Sequence, residues 1–155
     1  MKINLKDAFT LDRYEKDMEF RLEVGGDEEL NTLATFDEAP HVSFSIRGKY
    51  GLVICDTVID FSYTTFCCRC LEPVSGKLHI ENRRRMITDP LKEDEDTILI
   101  DPNFVFFPDE EAKNQIILEF PERFLCSEDC KGLCPVCGCN RNLKECDCED
   151  TGMEL

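Results

Sequence analysis

The stretch HVSFSIRGKYGLVICDTVIDFSYTTF, residues 41–66, decides the fold. Val42, Phe44 and Ile46 alternate with polar or charged neighbours, and Gly48–Gly51 reads as a turn. Beyond it Val53, Cys55, Thr57, Ile59, Phe61, Tyr63 and Thr65 share one face. A period of two, filled with β-branched and aromatic residues, is the mark of strands that bury one face.

The same period recurs on both sides. Upstream, MKINL reads as an edge strand. In DMEFRLEV, Met18, Phe20, Leu22 and Val24 fall on one face, and GGDEELNTLATFDEAP reads as a loop punctuated by Gly25, Gly26 and Pro40. Downstream, Leu78 and Ile80 alternate in SGKLHIENRRRMI, which ends in three arginines. TDPLKEDEDT reads as a charged, mobile loop, and TILI as a short strand. PDEEAKNQIILEFP predicts a helix: Pro108 suits its first turn, Asp109, Glu110 and Glu111 suit its N-terminal dipole, and Pro121 stops it. The order predicts an α+β fold: an antiparallel β-sheet with one main helix and a C-terminal cysteine-rich, zinc-ribbon-like tail. Residues 1–125 form the expected β-rich region, and 126–155 a metal-binding tail packed on it.

Ten of the eleven cysteines stand in two groups; the other, Cys55, sits in a strand pattern and reads as core. The first group is CCRC, with Cys67 and Cys70 as a C-x2-C pair around Cys68. The second is Cys126-x3-Cys130-x3-Cys134-x2-Cys137, then Cys139, Cys146 and Cys148. C-x2-C spacing lets two thiolates converge on one ion across a tight turn. In CPVCG the proline stiffens the turn and Gly138 can take the left-handed conformation after the second ligand, which lets backbone N–H groups bond to sulfur. Four ligands per ion give two sets: Cys67, Cys70, Cys126 and Cys130, and Cys134, Cys137, Cys146 and Cys148. Spacing alone equally allows Cys126, Cys130, Cys134 and Cys137 to bind as one unit. Two Zn2+ ions are expected, with iron–sulfur ligation the rival. The tail has few large apolar residues, so metal rather than burial would fold it.

The initial residues carry charge throughout and lack an apolar signal region, and the longest aromatic run, FVFF, is far short of a membrane span. The expectation is a cytoplasmic protein with reduced thiols and no membrane association. The net charge of -15 is unevenly spread. Residues 1–66 sum to -6, 67–88 to +3, 89–125 to -8 and 126–155 to -4. The basic island contains Arg69, Lys77, Arg83, Arg84 and Arg85, the candidate contacts for RNA or another partner.

The cysteine pattern has a further reading. CRCLEP, followed some fifty residues later by CSEDCKGLCPVCG and then Asn142, Cys146 and Cys148, resembles the YceD family of large ribosomal RNA subunit accumulation proteins. The resemblance covers roughly residues 40–148. Cys68 and Cys139 depart from the pattern, and the first forty residues carry little of it. It implies a cytoplasmic, non-enzymatic factor tied to accumulation of large-subunit ribosomal RNA. Genes of the family often neighbour one for a zinc-ribbon ribosomal protein.

An acidic chain is poorly suited to cover RNA broadly. The expected partner is therefore a ribosomal protein or pre-ribosomal particle held on an acidic face, or else RNA touched only through the island. The alternative is a zinc-dependent interaction or thiol redox module unrelated to ribosomes, with Cys68 and Cys139 as spare thiols. Catalysis and a small-molecule substrate are not expected. His41 and His79 lack ligand spacing, and there is no phosphate loop, nucleophile elbow or deaminase signature.

Overall fold

The computed structural model describes residues 1–149. The elements run β1 (Ile3–Asn4), α1 (Lys6–Thr10), β2 (Arg13–Arg21), α2 (Glu28–Leu33), β3 (Thr35–Phe36), β4 (His41–Lys49) and β5 (Leu52–Phe66). They continue with β6 (Pro73–Ile87), a 3-10 turn (Pro90–Lys92), β7 (Thr97–Leu99), β8 (Val105–Phe106) and α3 (Pro108–Glu119). Two compact units result: residues 1–63 with 77–120, and residues 64–76 with the chain from 121 onward.

The expected α+β fold is present. The main sheet has the order β2-β4-β5-β6-β7, β3 pairs with β5, and β1 pairs with β8 in a small second sheet. β2 and β4 are antiparallel, with Met18 opposite Phe44, as are β4 and β5, with Ile46 opposite Cys55. One edge is parallel: Arg85, Met86 and Ile87 of β6 face Thr97, Ile98 and Leu99 of β7.

The alternation read from residues 41–66 is the alternation of burial. Val42, Phe44, Ile46, Val53, Cys55 and Ile59 are fully buried, while the residues between them face the open side. α1 comes so close to β4 that a Cβ on Gly48 would stand 2.3 Å from the Ala8 carbonyl oxygen, so only glycine fits there. α3 covers the buried face with Ala112, Gln115, Ile116 and the following Phe120, which stacks on Phe61 and meets Tyr63 edge-on. A buried polar network holds it: Gln115 accepts from Asn82 Nδ2 at 3.1 Å and donates to Glu111 at 3.0 Å.

Two loops expected from sequence are structured. In the first, Asp27 caps α2 by accepting from the Leu30 N–H, Leu30 is buried, and Lys113 Nζ lies 2.8 Å from Asp27 and 2.7 Å from Glu29. The cap and the tie to α3 start a helix directly after Gly25–Gly26. In the second, Asp89 caps the 3-10 turn, the Asp94 N–H donates to Thr97 Oγ1 at 2.8 Å, and the Arg85 N–H donates to the Asp96 carbonyl. Charged side chains here close turns rather than only solvating the chain. No described helix is long and apolar enough to cross a membrane.

Candidate metal centres

Both cysteine sets expected from spacing converge, and both lie in the second unit. The sulfurs of Cys67, Cys70, Cys126 and Cys130 all lie within 4.8 Å of one another, and so do those of Cys134, Cys137, Cys146 and Cys148. The unit mixing Cys126 and Cys130 with Cys134 and Cys137 is not the grouping that forms. In the first set Cys67 Sγ is 3.7 Å from Cys130 Sγ, and Cys70 Sγ is 3.5 Å from Cys126 Sγ. Four thiolates about 2.3 Å from a tetrahedral ion stand about 3.8 Å apart. The spacing therefore suits one ion per set, and all eleven cysteines are free of disulfides.

The two C-x2-C turns are built alike. The Cys67 N–H donates to the Glu72 carbonyl and the Leu71 N–H to the Cys67 carbonyl, at 2.8 and 3.0 Å. In the second turn the Cys134 N–H donates to the Cys139 carbonyl and the Gly138 N–H to the Cys134 carbonyl, at 2.8 and 2.9 Å. The residue after the second cysteine is left-handed in both: Leu71 at φ 62° and Gly138 at φ 74°. This turn points N–H groups at sulfur. Those of Cys70, Cys126 and Arg69 hold the Cys67 thiol down at about 6, against the pull of burial. Those of Cys137 and Val136 do the same for Cys134, also to about 6.

A further thiol in each set is pushed the other way. The Glu72 N–H acts to lower Cys70, but burial and the neighbouring Cys126, Cys67 and Cys130 push it up to about 12. Cys148 is also pushed up to about 12, first by Cys137. Thiolates this close repel one another, and a divalent ion at the centre removes that penalty. The first set is the more enclosed: Cys67, Cys70 and Cys130 are buried, whereas in the second only Cys134 is.

Two further side chains reach sulfur, Asn142 of the family pattern and Arg141, which no pattern singled out. Asn142 Nδ2 donates to Cys130 Sγ at 3.4 Å while its Oδ1 accepts from the Lys131 N–H at 2.9 Å. Arg141 Nη2 lies 3.7 Å from Cys134 Sγ. Arg69, one of the candidate partner contacts, donates to the Cys130 carbonyl oxygen at 3.1 Å. Cys139 sits against the second set, where contact with Cys137 pushes its thiol up to about 12. Cys68 is exposed, and Cys55 is buried in the first unit with its thiol also pushed up to about 12 by burial.

The basic island does not form one cluster. In β6, Arg83 and Arg85 face the open side with Lys77, and Arg84 faces the opposite one. Arg84 pairs with Glu111, Arg83 Nε lies 2.6 Å from Asp56, and Arg85 lies 3.8 Å from Asp94.

The α+β fold carries two four-cysteine sets, each tight enough to hold one metal ion. The chain belongs to the YceD family: the model for large ribosomal RNA subunit accumulation protein YceD matches residues 56–154. The match begins inside β5 and takes in both cysteine sets. No curated protein and no solved structure matches the chain significantly.

Proposed function

We propose that the chain is a cytoplasmic, non-enzymatic binding factor that holds two zinc ions. It supports accumulation of large-subunit ribosomal RNA by engaging a basic ribosomal protein, free or within a pre-ribosomal particle, through an acidic surface. The observation that carries this reading is the separation of charge in the first unit. Its open sheet face bears seven basic residues (Arg13, Arg21, Arg47, Lys49, Lys77, Arg83 and Arg85) against six acidic ones. The rest of the unit holds six basic and eighteen acidic residues. Many of the open-face arginines are already matched, Arg47 by Asp17 at 2.8 Å and Arg83 by Asp56. Little uncompensated positive charge remains there for phosphates, while the acid excess lies elsewhere.

Zinc is favoured by thiolate-only ligation in sets tight enough for a single ion. A multi-iron cluster hangs its thiolates on different irons and needs them more widely spread. Four protein ligands per ion leave no open position, which supports a structural role for the metal over a catalytic one. The test is affinity capture from cell extract with and without ribonuclease, followed by sedimentation with large-subunit particles at two salt concentrations. Basic ribosomal proteins should stay bound after ribonuclease and weaken with salt, since screening acts over about 10 Å at 0.1 M. Loss of all partners on ribonuclease treatment would assign the contact to RNA and end the acidic-surface reading.

A further inference from the structure

We infer that the groove between α3 and the β7 edge is the docking site for a basic, leucine-bearing peptide segment of the partner; this rests on the acidic-surface reading above. Two adjoining hollows lie there, both inside the first unit. One, of about 420 Å3, has Ile98, Leu99, Ile117 and Leu118 among its walls and Glu93 at its margin. The other, of about 290 Å3, shares Leu118 with the first and is bordered by Glu95, Asp96 and Glu119.

Leu118 therefore stands between the hollows, and it is 77 % exposed; Leu99 across the groove is 40 % exposed. A single exposed leucine is ordinary. Two that share a groove with isoleucines, inside a border of carboxylates, form a site with a defined complement. Glu93, Glu95, Asp96 and Glu119 make no ion pair among the described residues. The two arginines at the groove are engaged, Arg84 by Glu111 and Arg83 by Asp56. The border thus presents net negative charge around an apolar floor.

The matching occupant carries lysines or arginines on its flanks and one or two large aliphatic side chains at its centre. An amphipathic helix or an extended basic tail of a protein satisfies this. RNA does not, because it offers no aliphatic anchor and brings phosphates against four carboxylates. The groove also brings Glu119, at the end of α3, to the acidic turn at 93–96.

The test uses the full-length, zinc-loaded protein and two labelled 16-residue probes. One has leucines spaced three and four apart among lysines; in the other each leucine is serine and the charge is unchanged. The leucine probe should bind about tenfold more tightly. Leu118→Ser should remove that advantage, leave the serine probe unaffected and keep the melting temperature. The pair Glu95→Gln with Asp96→Asn should weaken both probes. Leu143→Ser, which alters an equally exposed leucine (80 %) in the second unit, should change neither. Equal binding of the two probes, no effect of Leu118→Ser, or an equal effect of Leu143→Ser would overturn the groove. If the acid substitutions still weakened both probes, the acidic-surface reading would survive that failure. If they weakened neither, it would fall too.

Discussion

Asn142 Nδ2 stands 3.4 Å from Cys130 Sγ, so a side chain from the loop after the second cysteine turn orients a ligand of the first centre. Its Oδ1 accepts from the Lys131 N–H, and its backbone N–H donates to Asn140 Oδ1 at 3.0 Å. A short amide with fixed partners at both ends is a rigid support for a thiolate.

Asn142→Leu keeps the size of the residue and removes the donor to sulfur. Loss of such a support typically costs 10–100-fold in metal affinity. Competition with a chromophoric chelator should show one of the two ions released about tenfold more readily. Unchanged release of both ions would contradict the role given to Asn142.

Alanine substitution should affect the two cysteine turns differently, because only one of them already carries a β-carbon at its left-handed position. A Cβ on Gly138 would meet nothing within 4 Å, so Gly138→Ala tests backbone strain alone. The left-handed conformation costs a non-glycine residue about 1–2 kcal/mol, and denaturant unfolding of the metal-loaded protein should show a loss of about that size. Leu71 holds the same conformation with its side chain 61 % exposed, so Leu71→Ala removes no backbone strain and should change stability by under ~0.5 kcal/mol. Equal losses at both positions would contradict the assignment of the Gly138→Ala loss to backbone strain.

His79 Nδ1 lies 2.5 Å from Asp60 Oδ1, and this hydrogen bond, then the charges of Asp60 and Glu81, raise the imidazole above its ordinary 6.5. A raised folded-state value means that the pair stabilises the fold below about pH 6.5. That contribution is lost as pH rises through the folded-state value. Both side chains are more than half exposed, so the effect on stability is small and the titration itself is the better measurement. In an NMR titration Asp60→Asn should bring the His79 midpoint down toward 6.5. An unmoved midpoint would show that the pair is not formed in solution.

Much of this was legible in the sequence because it follows local rules. Alternation placed β4, β5 and β6, Pro108 and three acids placed α3, and paired cysteine spacing named both ligand sets but left a rival grouping that only the folded chain decides against. α2 was hidden because its stability comes from the Asp27 cap and from Lys113, more than eighty residues away in the chain. The parallel pairing of β7 is likewise a long-range choice that three residues cannot announce. The splitting of the arginines was readable in principle: Arg84 shares parity with Ile80 and Met86, which are buried, so it belongs to the inner face. Asn142 stood in the family pattern without a role attached to it, and Arg141 gave no sign. Contacts to sulfur depend on how a loop folds back, and no residue spacing encodes that.

The central claim is that two separate four-cysteine centres each hold one zinc ion. Elemental analysis of the purified wild-type protein and of Cys70→Ala, which breaks only the first set, tests it most directly. About two zinc ions per chain in the wild type and about one in Cys70→Ala are expected. Iron with a visible charge-transfer band, a single ion in the wild type, or two ions retained in Cys70→Ala would contradict it.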